Sequence, residues 1–152
     1  MLHAPDRRRS PPPTVVGGAI ASRRRGAHRA YLAAGASGAL RLYRAGDDYR
    51  VPDQCYALPD QLSERGMEGA VLVVELMSPR DETYVKLDWY AAVGVDEVLV
   101  VDPETRTPEV FVGRGGRMVL SAAARLHSLG VEFEATTGPA LCITWDGGSA
   151  EV

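Results

Sequence analysis

The sequence predicts an α/β (α+β) domain, and three stretches predict it. VLVVELM (71–77) is a near-continuous apolar run, as a central strand covered on both faces requires. SPRDETYVKLDWYAAVG (78–94) carries helix start and stop signals. VDEVLVVDP (95–103) is a second buried strand, ended by Pro103.

Along the chain, RRRSPPP and SRRRG hold few large apolar groups and the proline run excludes a helix, so residues 1–28 read as disordered. HRAYLAAGAS predicts a short helix over 27–34, broken by Gly35 and Gly38. ALRLYR (39–44) predicts a strand, followed by a turn at AGDD. YRVPDQCYAL reads as a strand pair or a single strand. Pro52 lacks an N–H, which marks an edge or a bulge just before Asp53. LPDQLSERGMEG reads as a connecting loop with one helical turn.

In the central helix, Ser78 suits the cap, Pro79 the first helical position, and Asp81 and Glu82 the positive end of the dipole. Gly94 suits a left-handed stop, and Val85, Trp89 and Val93, four apart, predict the buried stripe. EVFVG and RMVL flank Gly113–Gly116, predicting a hairpin, which is also the better reading of GRGGR than a nucleotide cradle. LHSLGVEFEATTGPALCIT closes the domain with short strands or a turn of helix, and WDGGSAEV reads as a loose tail. The division is a basic N-terminal segment at 1–38, a domain at 39–146 and a tail at 147–152.

The 152 residues suit one domain, with 45% apolar and 24% charged residues, near the globular average. No apolar run reaches the roughly 18 residues of a membrane span, and no apolar stretch follows the N-terminal arginines as a secretory signal would need. Cys55 and Cys142 stand in apolar surroundings and read as buried, reduced thiols, from which a cytoplasmic location follows. The net charge of −3 hides an asymmetry. Residues 1–50 hold ten arginines against three acids, and residues 51–152 hold seven basic groups against seventeen acids. A basic arm on an acidic body points to nucleic-acid attraction or self-association, or to a leader with no role.

The residues with the most chemistry are Asp53, Glu75 and Lys86. Glu75 lies among core-like residues and alternates with Val73 and Met77 on one strand face, where a carboxylate needs a partner or a metal. Asp53 and Glu75 from neighbouring strands can converge on one hard cation, with the Leu76 carbonyl as a third oxygen at roughly 2.1 Å from magnesium. Lys86 can orient a water or steady charge building on a phosphate, and Tyr90 lies one turn further along the same helix face. Each residue has a plainer reading: Asp53 as an Asx-turn acceptor, Glu75 as the partner of an arginine, Lys86 as a surface lysine paired with Glu82. His127 reads as a surface or core histidine.

These segments resemble the Uma-two family of restriction-endonuclease-like proteins, within the PD-(D/E)xK nuclease superfamily. The resemblance rests on YRVPDQ, on VLVVELMSP, and on K-x3-Y-x3-GV-x-E followed by VDP (Lys86, Tyr90, Gly94, Val95, Glu97, Asp102, Pro103). It runs from about Tyr49 to Val112, and LGVEFEA resembles the family's closing segment. It implies a restriction-endonuclease-like core, a small mixed β-sheet flanked by helices. Asp53 matches the first acid and Glu75 the second. Met77 stands where the superfamily motif has lysine, and the resemblance moves that lysine to Lys86. The first 45 residues depart from the family's opening pattern, and the connector from Ser78 to Lys86 is short.

The function expected is an Mg2+- (or Mn2+-) dependent endonuclease hydrolysing DNA phosphodiester bonds, with a homodimer implied by the resemblance alone. The alternative is a non-catalytic or decayed endonuclease-fold interaction domain. A third reading is a phosphodiesterase acting on RNA or a small molecule with the same acids.

Overall fold

A computed structural model describes residues 19–24, 27–35, 41–78, 82–138 and 140–152, with backbone alone for the first two stretches. In chain order the strands are β1 (Ala19–Arg24), β2 (Ala27–Gly35), β3 (Leu42–Ala45), β4 (Asp48–Arg50), β5 (Gln54–Ala57), β6 (Leu62–Ser63), β7 (Gly66–Met67) and β8 (Leu72–Leu76). Helix α1 (Thr83–Val93) follows. Then come β9 (Glu97–Val101), β10 (Pro108–Arg114), β11 (Arg117–Leu120), β12 (Arg125–Leu126), β13 (Val131–Ala135), β14 (Leu141–Trp145) and β15 (Gly148–Glu151).

Seven strands form the main sheet, in the order β1-β2-β5-β8-β9-β10-β11. The two apolar runs, β8 and β9, lie side by side and parallel, as the intervening helix allows. The other neighbours in this sheet are antiparallel. Alternation along each run sorts its side chains between two cores. Val73, Val98 and Val100 face a cluster containing Leu87, Trp89 and Tyr90 of α1. Leu72, Leu99 and Val101 face a second cluster with Val110 and Leu126. Both faces of the centre are covered, which is why these strands lack polar alternation.

The covers differ from those expected. Instead of helices on a single sheet, α1 is the one α-helix among the described residues. A four-stranded sheet, β4-β3-β7-β6, helps cover the α1 face through Leu42 and Met67. The other face is covered by the sheet β12-β13-β14-β15, through Leu126 and Phe133. Two small sheets thus do what flanking helices were expected to do.

Several local expectations are corrected. The predicted helix at 27–34 is strand β2, paired with β1 and β5; ladder formation outweighs the helix propensity of its alanines. Of residues 1–28, read as disordered, 19–24 form β1 and 27–28 begin β2, while 1–18 and 25–26 lie outside the described residues. Strand β5 runs between β2 and β8, so Pro52 is neither at an edge nor in a bulge but precedes the first ladder residue. The 58–69 connector holds a single 3-10 turn at Pro59–Gln61, then the β6–β7 hairpin. The tail is strand β15, held by backbone pairing to β14 although all four of its residues are exposed.

The N-cap position of α1 is Glu82 rather than Ser78, with no side-chain cap bond, and the helix ends at Gly94 in the left-handed conformation, φ 84°, as predicted. The expected roles of Pro79 and Asp81 fall outside the described residues. Of the predicted stripe, Trp89 is buried and Val93 packs against the core, but Val85 is 75% exposed and lies off the buried face. The buried side chains are Thr83, Leu87, Trp89 and Tyr90. At about 100° per residue, Val85 sits roughly 140° from Tyr90, and Lys86 only about 40° from it. The hairpin predicted around Gly115 and Gly116 is present, both at positive φ.

Candidate functional site

The strand register brings the two acids together. Gln54 pairs with Val74 and Cys55 with Val73, and both Cys55 and Val73 belong to the cluster under α1. Asp53 stands two residues before Cys55, and Glu75 two after Val73. By alternation both acids therefore belong to the α1 side of the sheet.

Asp53 reaches across rather than capping its own loop. Its Oδ2 accepts the Leu76 amide hydrogen at 2.7 Å. That bond fixes the carboxylate beside β8, while the residue itself stays exposed.

Glu75 is 2% exposed. Its partners come from α1, not from an arginine. Lys86 Nζ donates to Oε1 and Oε2 at 3.4 Å each, and the Tyr90 hydroxyl donates to Oε1. Lys86 therefore leans inward to Glu75, and the short connector does not prevent its reach. Burial pushes the Glu75 carboxyl above the ordinary carboxylate range, and the nearby Asp53 charge adds to that push. The Tyr90 hydrogen bond and the Lys86 charge act in the opposite sense. Burial, then Glu75 itself, drives the Tyr90 phenol upward, so it remains a donor. Burial likewise lifts the Cys55 thiol, to about 12, with a contribution from the Glu75 charge. Cys55 is a buried thiol as expected, whereas Cys142 is only partly buried; both are free.

Tyr90 is the residue to which sequence reasoning gave no role. Its four-residue spacing from Lys86 was the available signal. Two other acids of the resembling string act in turns. Glu97 is buried and accepts the amides of His127, at 2.6 Å, and Ser128, at 3.0 Å, together with the Ser128 hydroxyl. Asp102 accepts the amides of Glu104 and Thr105, which hold its carboxyl below the usual range. His127 itself is exposed and joins no site.

The described residues contain no group of three His, Cys, Asp or Glu side chains placed to share a metal ion. The donor set at hand is smaller: two carboxylates held by adjacent strands, and the backbone between them. All are hard oxygens, the type magnesium and manganese take, and each usually keeps waters to complete its shell. Asp53 and Glu75 fit such an ion, provided Glu75 shares its oxygens with Lys86. Among the described residues no helix is long and apolar enough to cross a membrane.

None of the curated proteins compared with this chain matches it. A family model does, and it begins well ahead of the motifs at 49–112, taking in β1 and β2 as well as the acids, the helix and the closing strand β13. That model, described as "Uma2: Putative restriction endonuclease", matches residues 14–137, most of the chain, and the chain belongs to this family.

Proposed function

We propose that the chain is a metal-dependent endonuclease hydrolysing DNA phosphodiester bonds, with Asp53, Glu75 and Lys86 as its working groups. One observation carries the reading: two acids on the same side of adjacent strands, with an ammonium 3.4 Å from the buried one. Asp53, Glu75 and the Leu76 carbonyl would hold Mg2+ or Mn2+. A divalent ion there supplies a more acidic bound water and neutralises phosphate charge. Asp53 is oriented by the Leu76 amide before any ligand arrives, so little ordering is left for binding. Lys86 steadies charge on the phosphate or orients the attacking water. The basic first fifty residues offset the acidic body in attracting DNA. A homodimer would present two such sites to two strands, and a cytoplasmic location suits the free thiols.

A second reading, a non-catalytic domain keeping the fold, is favoured by the engagement of Glu75. Its charge is already met by Lys86 and Tyr90, as in a structural ion pair. Nicking of supercoiled plasmid with Mg2+ or Mn2+ separates the two. Wild type should nick, and Asp53→Ala and Glu75→Ala should not. Equal nicking by all three, or none by wild type, leaves the non-catalytic reading.

A further inference from the structure

The small sheet β4-β3-β7-β6 carries an arrangement that the carboxylate site does not use. Its inward groups include Asp48, whose two oxygens each lie 3.1 Å from the Trp89 indole nitrogen that donates to them. Asp48 also pairs with Arg44 at 2.7 Å and Arg50 at 3.3 Å, which neutralises that side. The outward groups differ. Tyr43 and Tyr49 are register partners, with ring centroids 5.6 Å apart. The Arg65 guanidinium lies 4.5 Å from the Tyr43 ring centre and the Arg41 guanidinium 4.5 Å from that of Tyr49. The result is a row: Arg41, Tyr49, Tyr43, Arg65. Among the described residues neither end arginine has a carboxylate partner.

We propose that this row is a docking surface for a single strand of nucleic acid, its phosphates on Arg41 and Arg65 and its bases stacked on the tyrosine and guanidinium planes. The two guanidiniums are charge-complementary to phosphate, and the planar groups offer stacking that a paired duplex cannot use. The row is close to the acids in the chain. Strand β4 ends at Arg50, three residues before Asp53. Tyr49, the row residue nearest in sequence, stands four residues before Asp53, so their Cα atoms lie at most about 14 Å apart. The surface takes its substrate class from the nuclease reading and assigns where the strand lies outside the cleavage point.

The test measures fluorescence anisotropy of a labelled oligothymidylate of about 12 nucleotides with the full chain in EDTA. Wild type should bind the single strand more tightly than the matching duplex. The Arg41→Gln/Arg65→Gln double variant should weaken binding at least tenfold and flatten the log–log salt slope by about 1.4, two phosphates at about 0.7 each. Tyr49→Leu should weaken it about tenfold through lost stacking. Arg117→Gln, on the distant β10–β11 hairpin, should bind as wild type does. Thermal melts confirm that each variant is folded. No binding by wild type, or an affinity and slope unchanged in the double variant, overturns the proposal. So does self-association lost in the double variant without any oligonucleotide binding, which would give the face to a second copy. Glu75→Ala should bind normally in EDTA, so a failure of cleavage and a failure of this surface read out separately.

Discussion

Tyr90 donates its hydroxyl hydrogen to Glu75, joining the third turn of α1 to the next-to-last residue of β8 across the buried face of the sheet. The bond favours the charged form of Glu75 and partly offsets the cost of burying it. Tyr90→Phe removes that donor. The Glu75 carboxyl should move further up, because burial then acts against fewer compensations. Cleavage that needs ionised Glu75 should have its acidic limb shifted to higher pH, with a stability loss of about 1.5–3 kcal/mol for the lost hydrogen bond to a charged group. Rate–pH profiles of wild type and Tyr90→Phe decide the matter, and an unmoved limb would uncouple Tyr90 from the chemistry.

The same raised carboxyl makes folding pH-dependent. The folded pKa lies above the unfolded one, so the native state keeps its proton over a range where the unfolded chain has lost it. This contribution to stability is full below the unfolded value, about 4.3, and is lost as pH rises through the folded value. Glu75→Gln cannot titrate. Relative to this variant, wild type should lose stability as pH climbs above about 4 and through the folded value, then level off. Urea titrations of both proteins across that range provide the comparison. A constant difference would mean that Glu75 titrates normally.

Lys86 and the proposed cation both bring positive charge to Glu75. Lys86→Ala removes the repulsive neighbour, so Mn2+ binding should persist or strengthen, and the melting temperature should still rise with added Mn2+. The nicking rate should fall about 10²- to 10³-fold, the scale of losing one charge-stabilising donor. Loss of the Mn2+-induced shift along with activity would instead make Lys86 a prop for Glu75.

What the sequence made legible follows from how each signal is caused. β8 and β9 are buried on both faces, so their apolar runs are unbroken and point to central strands. Alternation in β8 places Glu75 with Val73, and the structure keeps them on one side. Val85 was misplaced because it forms an apolar series with Trp89 and Val93, which do join the core. The helix faces Glu75, a partner on another element, through Lys86 and Tyr90 rather than through Val85. β2 was misread because alanine favours helix locally, whereas its ladder to β5 is a long-range event. β15 gave no signal at all, since GSAE has no apolar face and is held by backbone bonds alone.

Glu97 tests whether membership of a motif means chemistry. It stands three residues after the helix stop in the string that carries the resemblance, yet its carboxylate is spent on the turn after β12. Two amides and a hydroxyl share its two oxygens, and the residue is buried. Glu97→Gln keeps the shape but replaces one acceptor oxygen with a donor NH2, which faces an amide that also donates. The cost should be about 1–3 kcal/mol, a fall in melting temperature of several degrees. Because this turn lies on no wall of the Asp53–Glu75 pair, nicking per folded molecule should stay within about twofold of wild type, a ΔΔG‡ below about 0.5 kcal/mol. A collapse of activity at unchanged stability would move Glu97 from scaffold to site. It would also mean that the working carboxylates extend along β9 rather than across to β5.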